Sequence, residues 1–216
     1  MAMTWFFLDI FLSWFPVVFL IGALALSAVF YFFKKISASK IFKLIIAVVS
    51  FRIVYAAALT FVQYYVWSQN ELTKILARSP LGDGVFPSVF DFVFNSRLGY
   101  FLFYSYGRFW LSVFISIAAA LVFYLFLRFL RKYRDRFFEE GEAELGFLTA
   151  LIVGWPNFVI FVPMVFILVI IVSIFRRLFY GETYTTLGIP FLLAALTALL
   201  AGSRLIHFFR LEVLNI

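Results

Sequence analysis

Long apolar stretches separated by short polar segments dominate the chain. A membrane-spanning helix needs about 20 consecutive apolar residues, and most of these stretches reach or exceed that length. The predicted spans lie near residues 5–33, 44–67, 85–104, 109–130, 146–175 and 183–203. Because a helix satisfies its own backbone hydrogen bonds in lipid, the pattern predicts an all-α, polytopic integral membrane bundle. It has five or six transmembrane segments in one domain, residues 1–216.

Two of the predicted spans need separate interpretation. Residues 85–104 contain two charged side chains and an Asn, so this segment is either a poor span or a re-entrant segment that lines a cavity. Residues 146–175 carry no charge, but one straight helix of that length would measure about 45 Å against a hydrocarbon core of about 30 Å. Gly154-Trp155-Pro156 is predicted to interrupt it, because Pro156 lacks the backbone N–H that a helix interior needs.

The composition agrees with a membrane protein and excludes several other classes. Hydrophobic residues make up 65% of the chain, against about 45–50% in ordinary soluble domains, which excludes a soluble globular protein and a disordered chain. Cysteine is absent, which excludes disulfides, thiolate metal sites and a cysteine nucleophile. His207 is the only histidine, so a metal site built from several histidines is excluded as well.

The net charge is +7, and the basic residues responsible for it lie next to the apolar runs rather than in a separate polar domain. Basic residues cluster in residues 34–43 and 128–136, directly beside predicted spans. Lysine and arginine in such positions are typical of the cytoplasmic face. The basic residues therefore indicate which loops face the cytoplasm, and they do not indicate a nucleic-acid partner. The partner that this pattern predicts is the lipid bilayer.

Acidic residues at membrane depth are the strongest candidates for chemistry, because a charge in hydrocarbon is costly and usually pairs or faces a cavity. Two neighbouring carboxyl groups can divide the work of peptide hydrolysis, one ionised to activate water and one protonated to polarise the peptide carbonyl. Candidates on separate segments are Glu71 and Asp83, before the ambiguous span, and Glu142, before residues 146–175. The alternative is that Glu142 belongs to a solvated acidic run that balances residues 128–136.

Short motifs in the C-terminal half follow an order found in a known family. Residues 141–146, Gly-Glu-Ala-Glu-Leu-Gly, are similar to a Gly-Asp-Val-Lys-Leu-Gly signature. The other parts, in chain order, are Gly154-Trp155-Pro156-Asn157, Arg176-Arg177, Ile189-Pro190-Phe191, Gly202 and residues 204–209. Their order and spacing over about residues 105–212 resemble the type IV prepilin peptidases, which are intramembrane aspartic proteases.

The resemblance implies an aspartic-type endopeptidase of the bacterial cytoplasmic membrane that cleaves the leader of pilin-like precursors without a metal or organic cofactor. Glu142 occupies the position of one catalytic Asp, and the earlier Gly of that motif is Glu139. The second catalytic acid corresponds to Asp83 or to Glu71. Because both acid positions depart from the family pattern, a catalytically inactive scaffold or assembly partner derived from the family is the alternative.

Two topologies connect residues 34–43 with residues 128–136. Two membrane crossings would leave both basic clusters on the cytoplasmic side, with residues 85–104 re-entrant or peripheral. Three crossings would place residues 34–43 outside and bring Asp83 to the side of Glu142. The resemblance implies three crossings, because a paired-acid site needs both carboxyl groups on one side.

A fainter resemblance connects residues 85–130 with the lipoprotein signal peptidases. It depends on Asn95-Ser96-Arg97-Leu98-Gly99 before a long helix. The later Asn and Asp-Arg motifs of that family have no counterpart, since Ser173 and Arg176 stand where they would fall. This family therefore ranks below the prepilin peptidases.

Overall fold

A computed structural model describes residues 2–33, 38–81, 96–133, 139–181 and 186–214. The helices are α1 (Ala2–Phe32), α2 (Ala38–Gln69), α3 (Glu71–Ala77), α4 (Gly99–Ser105), α5 (Leu111–Tyr133), α6 (Glu142–Val153), α7 (Phe158–Tyr180) and α8 (Gly188–Phe208). A π-helical turn joins α4 to α5, and a short 3₁₀ turn follows α8. No strand occurs in any of the described ranges.

The predicted all-α polytopic membrane bundle is confirmed. Five helical stretches are long and apolar enough to cross a membrane, namely Trp14–Phe32, Ser39–Gln69, Gly99–Tyr133, Phe158–Phe179 and Gly188–Phe208. In three of the five, only 17% of the most apolar window is buried inside the protein. The other side chains of those windows need an apolar surrounding, which a lipid bilayer supplies. The chain is therefore an integral membrane protein.

The apolar run of residues 146–175 is interrupted, as the sequence predicts. Helix α6 ends at Val153 and α7 begins at Phe158, with Gly154 at a φ of 64° between them. A positive φ is readily adopted only by glycine, so Gly154 turns the chain at little cost. The backbone N–H of Trp155, which the break frees, donates to the hydroxyl of Ser116 at 2.7 Å. This satisfies the requirement that such groups find a partner inside a membrane protein.

The region before α5 differs from the predicted division into residues 85–104 and 109–130. Helix α4 begins at Gly99 and continues through the π-helical turn Tyr106–Trp110 into α5, so that Gly99–Tyr133 is one helical stretch. In the sequence, Gly107 and Arg108 are typical of a helix end. In the structure, the wider π-helical turn accommodates both residues and the helix continues. The earlier part of the ambiguous segment, residues 85–95, lies outside the described residues.

The residues form two compact units, one of residues 1–50 and 115–215 and the other of residues 51–114. In the first unit, α6 and α8 supply fully buried side chains such as Leu148 and Ala195. The ring of Phe123 meets those of Phe161 and Phe191 edge to face at centroid distances of 5.6 and 6.0 Å. These close-packed rings and small residues form a core at the centre of that unit.

In the second unit, aromatic side chains form most of the described packing. The ring of Trp67 lies 5.7 Å from that of Phe101 and 4.8 Å from that of Tyr104. The indole N–H of Trp110 donates to the hydroxyl of Thr60 at 3.1 Å. Large aromatic rings thus connect α2 with α4 and the π-helical turn inside this unit.

Membrane topology gives a testable expectation. Among the described residues, two candidate spans, Ser39–Gln69 and Gly99–Tyr133, separate the basic residues 34–43 from residues 128–136. We therefore expect single cysteines introduced as Ser39→Cys and Phe138→Cys to react with an impermeant maleimide from the same side. The chain has no native cysteine, so each introduced thiol is the only target. Labelling from opposite sides would reveal the third crossing that the resemblance implies.

Candidate functional site

Glu142 is the acidic residue around which the first unit builds a polar site. It is the first residue of α6, and its side chain is completely buried, with 0% exposure. Gly141 precedes it with a φ of 86°, a conformation that glycine adopts readily. This turn allows the Glu142 side chain to enter the protein interior rather than water.

Backbone and side-chain donors surround the carboxylate of Glu142. The N–H of Gly188, the first residue of α8, donates to Oε1 at 2.7 Å. The N–H of Glu139 donates to Oε2 at 3.0 Å, and the hydroxyl of Tyr31 lies 3.4 Å from Oε1. The first N–H groups of a helix have no partner within the helix, and the Glu142 carboxylate accepts one of these N–H groups of α8. Its negative charge also lies at the N-terminal end of α8, where the helix dipole favours it.

The polar site extends beyond Glu142 to the end of α1 and to α7. The hydroxyls of Tyr31 and Thr186 are hydrogen-bonded at 3.0 Å. Arg176 of α7 lies close enough to the Tyr31 hydroxyl for an electrostatic interaction. Gly188 approaches the Tyr31 ring so closely that a Cβ there would fall 2.7 Å from the hydroxyl oxygen. Glycine at this position is what allows α1 and α8 to meet beside the carboxylate.

The environment of Glu142 changes its proton affinity. Burial is the largest effect, and it raises the pKa of Glu142 above its ordinary value of 4.5 because the charged form loses water. Hydrogen bonds from the backbone of Glu139, Gly188 and Leu187 lower the pKa and oppose this effect, while the nearby charge of Glu139 raises it further. The net direction is upward, so the buried carboxyl keeps its proton to higher pH than an exposed one.

Of the two acids predicted as partners of Glu142, the structure describes only Glu71. Glu71 is the exposed first residue of α3 in the second unit. It follows Asn70, whose side-chain oxygen accepts the N–H of Leu72 at 3.2 Å, and an acid in the first turn suits the helix dipole. Asp83 lies outside the described residues. The pairing of Glu142 with Asp83 or Glu71 therefore stays a prediction.

Four of the stretches that carry the family resemblance meet in pairs. A Cβ at Gly146 would lie 3.1 Å from the ring of Phe191, and one at Gly202 would lie 2.6 Å from Oδ1 of Asn157. Glu142 itself is bonded to Gly188, which directly precedes Ile189-Pro190. The motif of residues 141–146 thus meets Ile189-Pro190-Phe191 where α6 packs on α8, and Asn157 of the second motif meets Gly202.

Sequence reasoning did not identify Tyr31 or Gly188 as part of the site. Gly188 adjoins the Ile-Pro-Phe motif, which was a usable signal, whereas Tyr31 is one of many aromatic residues in an apolar run. Among the described residues, no three acidic, histidine or cysteine side chains are grouped as metal ligands would be.

In comparisons with known proteins, the chain matches no family model, no curated protein and no solved structure. The class that the fold defines is a helical integral membrane protein with a buried acid where three helix ends meet.

Proposed function

We propose that the chain is a prepilin-peptidase-like membrane protein that binds pilin-like precursors at the bacterial cytoplasmic membrane without cleaving them. It would act there as a scaffold or assembly partner. The family part of the proposal is supported by two pairs of motif stretches that pack against each other within one unit. Gly146 against Phe191 and Gly202 against Asn157 are the contacts that support it.

The observation that carries the non-catalytic part is the burial of Glu142. A catalytic carboxyl has to reach water or the peptide bond, and the geometry of a general base is judged first by that reach. The side chain of Glu142 has 0% exposure, and both of its oxygens accept backbone N–H groups. Such a carboxylate resembles a structural cap at a meeting of helix ends more than a group that exchanges protons with substrate.

A topology of two crossings would support the same interpretation. If residues 34–43 and 128–136 lie on one side after two crossings, Glu71 and Asp83 follow the first crossing and belong to the other side. A paired-acid mechanism needs the two carboxyl groups close together. Two crossings would therefore leave Glu142 without either predicted partner.

Co-purification tests the binding function. A tagged form of the chain is co-expressed with a pilin-like precursor and purified in mild detergent, and the captured precursor is identified by its intact mass. We expect a complex in which the precursor keeps its leader. A matched precursor in which the leader and its basic residues are deleted serves as the control and should be captured much less. Equal capture of both forms, or of neither, would contradict the proposal.

An active peptidase is the second candidate, and one observation favours it. The pKa of Glu142 is raised by burial, and a paired-carboxylate mechanism needs one acid that keeps its proton. In that case Glu142 would polarise the peptide carbonyl, and Asp83 or Glu71 would activate water. Release of the leader by the wild-type chain, lost in Glu142→Gln, would support this candidate over the non-catalytic one.

A further inference from the structure

The C-terminal end of α5 has an open concavity of about 590 Å³. Among the described residues, Leu125, Arg128, Phe129, Arg131 and Lys132 line it. Each of these positions has another three or four residues away, so they share one face of the helix. The uncharged part of α5 ends at Leu127, and the basic residues follow directly. They therefore lie where the apolar span meets water, which is the level of lipid headgroups.

The three cations of this face are available for a ligand. In the described part of the chain, none of them forms an ion pair with a carboxylate. The guanidinium of Arg128 lies over the ring of Tyr124, 5.7 Å from its centroid, and the Tyr124 hydroxyl donates to Oε1 of Glu144 at 3.5 Å. The cation–π contact holds Arg128 in one place without neutralising its charge.

The other half of the lining is apolar and open. Leu125 is 57% exposed and Phe129 is 59% exposed, one turn apart on the same face. A soluble anion such as inorganic phosphate would contact only the cations and leave these two side chains bare. A molecule with a phosphate at one end and hydrocarbon at the other would contact both halves of the surface.

We propose that this concavity binds an anionic phospholipid. The phosphate contacts Arg128, Arg131 and Lys132, and an acyl chain lies along Leu125 and Phe129. Arginine guanidinium groups suit phosphate oxygens because several N–H donors can be shared between two of them. Basic clusters beside membrane spans attract anionic lipids generally, and the apolar half of the surface adds selectivity for a lipid over other anions.

Native mass spectrometry of the purified full chain in mild detergent tests the site, with phosphatidylglycerol as the probe and phosphatidylcholine as the neutral comparison. The test variant is Arg128→Gln/Arg131→Gln/Lys132→Gln. Its matched control, Lys43→Gln/Arg177→Gln/Arg204→Gln, removes the same three charges elsewhere. We expect the test variant to bind the first phosphatidylglycerol at least about tenfold more weakly than the wild type, and the control to stay within about twofold.

If the triple variant does not elute as a folded monodisperse protein, the single variant Arg131→Gln replaces it. We expect this variant to bind phosphatidylglycerol about threefold more weakly than the wild type. Equal losses in the test variant and the control would overturn the proposal in favour of diffuse charge attraction. Equal binding of phosphatidylglycerol and phosphatidylcholine by the wild type would overturn it as well. Displacement of the lipid by inorganic phosphate alone would overturn the proposal in favour of a site for a free anion. Displacement by a polyglutamate peptide would overturn it in favour of a site for an acidic protein segment.

Discussion

Glu142→Ala is expected to lower the free energy of unfolding by about 2–6 kcal/mol, since two buried backbone donors each lose their acceptor at a cost of roughly 1–3 kcal/mol. These donors are the N–H groups of Gly188 and Glu139. Denaturant titration of the purified protein in detergent measures the effect. The matched control is Glu144→Ala, two residues along the same helix.

Glu144 has only a long hydrogen bond from Tyr124, at 3.5 Å. Its other carboxylate oxygen is buried without a partner among the described residues. We therefore expect Glu144→Ala to change the free energy of unfolding by less than about 1 kcal/mol. A loss of the same size in both variants would show that Glu142 is not the specific connection between the helix ends.

The pH dependence of that stability has a defined sign. Burial raises the pKa of Glu142 above 4.5 in the folded state, so over the interval above 4.5 the folded chain keeps a proton that the unfolded chain has lost. The free energy of unfolding falls as pH rises wherever the folded state binds more protons. The stability of the wild type relative to Glu142→Gln should thus be highest below pH 4.5, decrease as pH rises towards the raised pKa, and then level off. A relative stability that rises with pH over this interval would contradict the assignment.

Gly188→Ala is expected to lower the free energy of unfolding by about 2–3 kcal/mol, at the upper end of the usual cost of overpacking. The added methyl would meet the ring and hydroxyl of Tyr31, and separating the two would also lengthen the bond from the Gly188 N–H to Glu142. The matched control is Gly22→Ala in α1, where a Cβ would meet nothing within 4 Å. That control should change stability by less than about 1 kcal/mol.

Thermal unfolding in detergent, followed by circular dichroism, compares the two glycine variants. Tyr31→Leu removes the obstructing hydroxyl and part of the ring, so we expect the cost of Gly188→Ala to be smaller in that background than in the wild type. Equal costs in the two backgrounds would show that the close approach of α1 and α8 does not limit the residue at position 188.

Features that depend on local sequence could be predicted. The length of apolar runs predicts the spans, and Gly154-Trp155-Pro156 predicts the end of α6, because both depend on neighbouring residues. The continuity of Gly99–Tyr133 could not be predicted in this way. Gly107 and Arg108 are typical of a helix end, and whether a wider turn accommodates them depends on packing.

The candidate site also has one part that the sequence could predict and one part that it could not. Glu142 can be selected from the sequence because it is an acid beside an apolar run within a recognisable motif. Its bond to Gly188 joins residues 46 positions apart, and neither periodicity nor composition carries information on which helix ends meet. The hydrogen-bond partners and the burial of the carboxyl could therefore be seen only in the structure.

The central claim is that Glu142 is a buried structural acid and not a catalytic one. Its most direct test is a cleavage assay on a co-expressed pilin-like precursor. The chain is compared with its Glu142→Asp, Glu142→Gln, Asp83→Asn and Glu71→Gln variants, and a prepilin peptidase that cleaves the same precursor serves as the positive control. The predicted result is an intact leader with the wild type and with all four variants. Leader release by the wild type or by Glu142→Asp, together with its loss in Glu142→Gln and in one of the other two variants, would contradict the account.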